Sequence, residues 1–144
     1  MKQIVIGILA VLALYGCNGN AQQINNKKMS KLIYVMDPLC GWCYGNSANT
    51  QHLYDTYKNQ IDFEILPAGM WIGENARKQS KPMAQYIKKH DLQIQQVTGT
   101  AFGQDYFKFV ENESIVLDSE IPSRAIVTVK KIWATQAVSF AIEV

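Results

Sequence analysis

A Cys-x-x-Cys pair constrains this chain most, because it lies where a strand-like run meets a helix-like segment. Residues 32–36 are apolar, partly β-branched and without alternation, which predicts a central strand covered on both faces. Pro38 ends that strand, since proline has no N–H for a ladder. Residues 41–59 contain no proline and only one interior glycine, so they predict a helix. Cys40 and Cys43 therefore lie where this helix begins.

This position favours a thiolate at the first cysteine of the pair. The first amides of a helix have no intrahelical partner, and the positive end of the helix dipole faces a sulfur placed there. We therefore predict that Cys40 is the nucleophile. Cys43 lies one turn further, on the same predicted stripe as Thr50 and Tyr54. It is predicted to be more buried and to act as the resolving thiol, after a mixed disulfide has formed at Cys40.

Two other interpretations of the pair are a structural zinc half-site and two buried thiols without a function. A structural zinc site needs about four ligands. Only His52, His90 and Cys17 remain as candidates, and they form no second close pair. The strand-turn-helix context therefore favours redox chemistry and predicts no metal.

Residues 37–45, Asp-Pro-Leu-Cys-Gly-Trp-Cys-Tyr-Gly, resemble the active-site segment of the DsbA family of thioredoxin-fold thiol-disulfide oxidoreductases, particularly its FrnE-like branch. Weaker similarity continues at residues 67–71, 98–99, 102–103 and 123–125. The resemblance implies an α/β fold, in which a thioredoxin-like core is interrupted by a helical insertion. It also implies that the two motif cysteines cycle between dithiol and disulfide without a cofactor. The implied site residues are Cys40, Cys43, Pro38, Gly41 and Trp42.

One part that the resemblance implies is missing from the sequence. Family members carry, after the helical insertion, a strand that opens with a cis-proline and holds the substrate chain against the cysteines. The prolines of this chain are Pro38, Pro67, Pro82 and Pro122, and none lies in such a position. We therefore expect only the first βαβ half of the core, with the final strands missing and the chain truncated at its C-terminus.

The N-terminus has the pattern of a secretory signal. Lys2 precedes an apolar run, residues 4–15, that is too short to span a bilayer. Residues 14–17, Leu-Tyr-Gly-Cys, resemble the bacterial lipoprotein box, in which the cysteine is lipidated. This predicts an extracytoplasmic protein held on a membrane, on the periplasmic side, by lipid on Cys17. Ordinary signal cleavage nearby and an uncleaved anchor are the alternatives.

The predicted order of segments follows from these motifs. Residues 1–17 are the lipoprotein-type signal, and residues 18–31, rich in Asn, Gln, Lys and Gly, are a flexible tether. Residues 32–73 form the first half of the thioredoxin-like domain, and residues 74–144 form the helical insertion.

A second strand is predicted at residues 61–66, where apolar and polar residues alternate as on an edge strand with one wet face. It should pair in parallel with the first strand through the intervening helix. Glu64 on this strand is either an exposed carboxylate or a buried proton acceptor for Cys43. The exposed carboxylate is the commoner case.

Three cap residues mark helices in the predicted insertion. Ser80, followed by Pro82, predicts a helix that ends at a lysine pair, and Asp91 is predicted to cap a short helix that ends at Gly99. Ser119 is predicted to cap a further helix. The apolar face predicted for that last helix comprises Ile121, Ala125, Val129 and Ile132.

Composition limits the function classes. The chain has 144 residues, 48% apolar and 18% charged, as in one globular domain, and its formal net charge of +2 gives no support to nucleic-acid binding. The sequence thus predicts an enzyme that exchanges disulfides with extracytoplasmic proteins, together with a redox partner protein. One alternative is a non-catalytic lipoprotein with a structural disulfide. Another is a relative of the glutathione-using 2-hydroxychromene-2-carboxylate isomerases, against which the second cysteine argues.

Overall fold

The computed structural model describes residues 30–144. The predicted signal, Cys17 and nearly all of the predicted tether lie outside these residues. The last two tether residues, Ser30 and Lys31, belong instead to the first strand. Within residues 30–144, no helix is both long and apolar enough to cross a membrane. No peptide bond in the same range is cis.

The sheet consists of two parallel strands, β1 (Ser30–Met36) and β2 (Ile61–Pro67), in register from one end to the other. Two helices connect them, so the predicted first half of a thioredoxin-like core is confirmed. Four further helices follow β2. The helices are α1 (Gly41–Gly45), α2 (Ser47–Tyr57), α3 (Lys81–Thr98), α4 (Gln104–Val110), α5 (Glu120–Ile132) and α6 (Ala137–Glu143).

The two faces of this sheet differ in cover. On one face Met36 and Ile65 are buried against α5 and α6. On the other face Ile33 is 54% exposed, Val35 is 55% exposed and Leu66 is 47% exposed. The prediction that β1 is covered on both faces is therefore wrong for the described residues, because α5 and α6 both pack on the face of Met36 and Ile65.

The helix predicted for residues 41–59 is divided at Asn46, whose φ and ψ angles are −93° and 1°. The Asn46 carbonyl still accepts a hydrogen bond from the Thr50 amide, so α2 starts directly after α1 ends. The division has a physical reason, since the two helices have different partners: α1 packs against α3, whereas α2 packs against α6.

The start and the end of α3 were predicted correctly. The Ser80 hydroxyl accepts a hydrogen bond from the Met83 amide, and Gly99 ends the helix with a left-handed φ of 75°. The predicted break inside this segment is wrong, because no glycine or proline interrupts the helix. Asp91 is not a cap. It is buried in the middle of α3 and accepts a hydrogen bond from the Tyr106 hydroxyl.

A short antiparallel ribbon also lies in the region predicted to be wholly helical. It pairs β3 (Arg77–Lys78) with β4 (Val116–Leu117). Each strand has only two residues, too few to produce a periodic pattern in the sequence.

Helix α5 begins where it was predicted but presents a different face to the core. Ile121 and Ile132 are 75% and 76% exposed, whereas Ile126 is fully buried beneath the helix. Ser119 stands at the N-cap position, yet its side chain caps nothing. The Ser119 hydroxyl donates instead to the carboxylate of Asp37.

Candidate active site

The candidate site is built on the turn between β1 and α1. Cys40 is the N-cap residue of α1, with extended backbone angles. Its amide donates to the Asp37 carbonyl at 3.0 Å, and its own carbonyl accepts from the Tyr44 amide at 3.1 Å. The Cys40 sulfur thus lies at the beginning of a helix, where free amides favour a negative charge.

Several hydrogen bonds stabilise a thiolate at Cys40. The Cys43 thiol donates to the Cys40 sulfur, and the backbone amides of Cys43 and Trp42 add to this. Burial and the charge of Asp37 oppose them, and the balance lowers the pKa of Cys40 to about 6. Cys40 is therefore mainly a thiolate at neutral pH.

The second thiol has the opposite tendency. The hydrogen bond to Cys40 raises the pKa of Cys43, and burial raises it further, whereas the Asp37 amide acts against both. Cys43 packs against the core cluster that contains Met36. The predicted difference in burial is not found, since both cysteines are half-buried free thiols. Their pKa values differ because one sulfur donates the hydrogen bond that the other accepts.

Asp37, to which the sequence analysis gave no role of its own, is buried beside this turn and is 4% exposed. Its carboxylate accepts three hydrogen bonds, from the Leu39 amide at 2.9 Å, the Met70 amide at 2.6 Å and the Ser119 hydroxyl at 2.8 Å. An Asp-Pro pair signals the local bond to Leu39. Nothing in the local sequence signals the other two donors.

On its other side, α1 packs closely against α3. A Cβ atom added to Gly41 would lie 2.6 Å from the Asp91 Oδ1 atom, and one added to Gly45 would lie 2.4 Å from the Ile94 Cγ2 atom. Both glycines are therefore required by space rather than by backbone angles. Gly41, the residue after the nucleophile in the motif, is thus explained by the helix beneath it.

A cavity of about 300 Å³ opens beside the two cysteines. Pro38 and Gly41 line it together with both sulfur-bearing residues, whereas Trp42 is 53% exposed and lies outside it. The rest of the wall is mainly apolar and aromatic. No lysine or arginine of the described residues contributes to the lining. The residues that form the apolar and aromatic wall include Tyr34, Tyr44, Phe102, Tyr106 and Ala141.

The acidic residue predicted as a possible partner of Cys43 has another role. Glu64 forms ion pairs with Lys31 and Lys130. Hydrogen bonds from Lys130 and then Lys31 lower the pKa of Glu64 to about 2. A proton acceptor for a thiol needs a higher pKa, so this alternative is wrong. Among residues 30–144, no group of three or more His, Cys, Asp or Glu side chains could hold a metal ion.

Comparison with known proteins supports the fold of disulfide oxidoreductases. No protein-family model and no curated protein matches the chain. The chain is similar to the cytosolic disulfide reductase DsbM from Pseudomonas aeruginosa, with 31% identity, a TM-score of 0.63, and coverage of 78% of this chain and 51% of DsbM. A second structure of DsbM, with GSH, matches at 30% identity with a TM-score of 0.61 and covers 78% of this chain and 52% of DsbM.

A candidate protein disulfide isomerase from Nitrosomonas europaea matches with a TM-score of 0.67, covering 80% of this chain and 52% of that protein. At 23% identity this likeness shows the fold alone. The chain spans about half the length of these solved structures. It thus has the thioredoxin-like fold of disulfide oxidoreductases. The assignment to the FrnE-like branch stays a prediction.

Proposed function

We propose that the chain is a thiol-disulfide oxidoreductase that exchanges disulfides with protein substrates through Cys40 and Cys43. The observation that carries this proposal is the pair of free, half-buried thiols at the start of α1, where interaction with Cys43 lowers the pKa of Cys40 and interaction with Cys40 raises that of Cys43. One sulfur is thereby ready to attack while the other keeps its proton. A static structural disulfide would need no such division.

The first step of the proposed reaction breaks the substrate disulfide. The Cys40 thiolate attacks one substrate sulfur, the substrate S–S bond breaks, and a mixed disulfide with Cys40 forms. The leaving substrate sulfur departs as a thiolate and takes a proton from solvent. This step needs no external oxidant or reductant, because one S–S bond replaces another.

The second step releases the substrate. Once Cys40 is part of a mixed disulfide, it no longer carries the negative charge that holds the Cys43 proton. The main cause of the raised pKa of Cys43 is therefore removed, and Cys43 loses its proton and attacks Cys40. The second substrate sulfur leaves, and Cys40 and Cys43 are oxidised to a disulfide. A redox partner protein with a dithiol would then reduce that disulfide, and the reverse order of steps would oxidise a substrate.

The cavity wall bears on the substrate. A structure of the similar DsbM contains GSH, which makes glutathione a second candidate substrate. Glutathione carries two carboxylates, whereas the described wall of this cavity has no lysine or arginine and includes Asp37 and Glu143. Cysteines in polypeptides with apolar neighbours fit such a wall better.

The location is part of the proposal and rests on the sequence of residues 1–17. We propose that lipid on Cys17 holds the protein on a membrane, facing an oxidising compartment. Radiolabelled palmitate should enter the wild-type chain in bacterial cells and should not enter a Cys17→Ala variant. Equal labelling of the two would show that Cys17 is not lipidated.

The function is tested by removing the nucleophile. The full chain in detergent should catalyse insulin reduction with a dithiol reductant, and Cys40→Ser should reduce this to the uncatalysed rate. Cys43→Ser should instead accumulate a mixed disulfide that a gel shift detects. Full activity in Cys40→Ser would overturn the assignment. Exchange with glutathione disulfide but not with insulin would select the second candidate substrate.

A further inference from the structure

The Asp37 carboxylate is a buried polar group that the exchange steps do not use. It joins three segments that are distant in sequence. Its own turn contributes the Leu39 amide, the loop after β2 contributes the Met70 amide, and the residue before α5 contributes the Ser119 hydroxyl. Met70 and Ser119 lie 33 and 82 positions from Asp37 along the chain.

The distant segments are also bonded to each other. The Ser119 amide donates to the Trp71 carbonyl at 2.9 Å, and the Trp71 amide donates to the Ser119 hydroxyl at 3.3 Å. Ser119 is fully buried. Because the Cys40 amide donates to the Asp37 carbonyl, the residue that carries the nucleophile is attached directly to this network.

The same carboxylate acts on both sulfurs through its charge. It opposes the thiolate of Cys40 and of Cys43, raising the pKa of each, although hydrogen bonds outweigh this at Cys40. Within residues 30–144 no lysine, arginine or histidine forms an ion pair with Asp37. Its neighbours are amides and one hydroxyl, so its negative charge is not neutralised by a cation.

We propose that Asp37 is a positioning residue of the exchange site, which holds the Cys40 turn against the Met70 loop and Ser119 and places a fixed negative charge beside both thiols. The inference rests on the proposed function and deepens it. The dithiol state contains a thiolate at Cys40, whereas the disulfide state contains none. The charge of Asp37 therefore disfavours the dithiol and favours its oxidation, which suits a pair that reduces its substrates.

The test compares Asp37→Asn, which removes the charge and places an NH2 group where one carboxylate oxygen accepts a hydrogen bond, with Ser119→Ala, which removes one of the three hydrogen bonds and keeps the charge. Iodoacetamide alkylation of the full chain across pH 4 to 8 measures the thiolate at Cys40. Equilibration with glutathione buffers measures the balance between dithiol and disulfide. Asp37→Asn should lower the pH midpoint of alkylation and shift the equilibrium towards the dithiol by about tenfold, or ~30 mV. Ser119→Ala should leave the alkylation midpoint in place and slow exchange with insulin.

The outcomes separate the parts of the proposal. An unchanged alkylation midpoint in Asp37→Asn would overturn the role of the charge, and an equal equilibrium shift in both variants would reduce Asp37 to a structural residue. If Asp37→Asn does not fold, unchanged exchange in Ser119→Ala would still overturn the positioning role. Alkylation and glutathione equilibration do not require a protein substrate. Failure to reduce insulin would therefore overturn exchange with protein substrates, whereas the role of the Asp37 charge would still be decided.

Discussion

Two aspartates are buried to the same degree on opposite sides of the active-site turn, and their surroundings differ. Asp37, 4% exposed, accepts three hydrogen bonds at the end of β1. Asp91, 3% exposed, lies on α3 and accepts one hydrogen bond, from the Tyr106 hydroxyl at 2.8 Å. Burial raises the pKa of Asp91 and the Tyr106 bond only partly offsets this. The two carboxylates are thus alike in burial and differ in the number of hydrogen bonds that they accept.

The two residues also hold the turn by different means. Asp37 does so through directional hydrogen bonds that reach three segments of the chain. Asp91 does so through contact, since its Oδ1 atom occupies the space that a side chain at Gly41 would need. Loss of the Asp37 side chain should leave buried donors without partners, whereas loss of the Asp91 side chain should leave a small space and the Tyr106 hydroxyl unpaired.

The largest expected difference between the two aspartates is in their contribution to the free energy of unfolding. Asp37→Ala leaves two buried amides and the Ser119 hydroxyl without their acceptor, and should lower the free energy of unfolding by about 3 to 5 kcal/mol. Asp91→Ala removes one hydrogen bond but also a poorly solvated carboxylate, and should cost about 1 to 2 kcal/mol. Urea unfolding of the full chain at pH 7 measures both. Equal losses would show that the two carboxylates contribute alike.

Local signals in the sequence were enough to predict several of the strand and helix ends around this turn. Pro38 correctly marked the end of β1, Ser80 and Gly99 correctly marked the ends of α3, and the Cys-x-x-Cys pair was correctly placed where a helix begins. Each of these signals acts on a backbone within four residues of itself. The alternation in β2 likewise depends only on neighbouring residues.

Asp91 and Ser119 were both misread as caps, for a single physical reason. Aspartate and serine next to a helix-like segment are typical caps, because their oxygens can accept from free amides nearby. Tertiary partners overrode that preference, since Asp91 is bound by Tyr106 and Ser119 donates to Asp37. These partners come from distant parts of the chain, so no window of sequence around either residue contains them.

The rotation of α5 shows the same limit. Both the predicted stripe through Ile121 and Ile132 and the observed one through Ser123 and Ile126 have helical spacing. Periodicity alone does not choose between two such stripes. The observed face is the one that makes tertiary contacts, since Ile126 packs in the core with Met36 and Ile65.

A smaller effect is expected on the pH dependence of stability, and it tests Asp91 alone. The pKa of Asp91 is raised above its ordinary value of 3.8 in the folded chain, so the folded state binds this proton more tightly than the unfolded state. Wild-type stability should therefore fall as pH rises from 3.8 through the folded pKa. Asp91→Asn cannot ionise, so its stability relative to wild type should rise over the same interval and then level off.

Glu64 provides the matched control of opposite sign, because ion pairs lower its pKa to about 2 from an ordinary value of 4.5. Its stabilising contribution is present above pH 4.5 and is lost as pH falls through the folded value. Urea unfolding of Glu64→Gln should thus differ from wild type by a constant amount above about pH 5, whereas the Asp91→Asn difference should rise with pH above 3.8 before it levels off. A constant difference for Asp91→Asn as well would mean that Asp91 titrates normally. The Tyr106 bond would then be sufficient to stabilise the ionised carboxylate of Asp91.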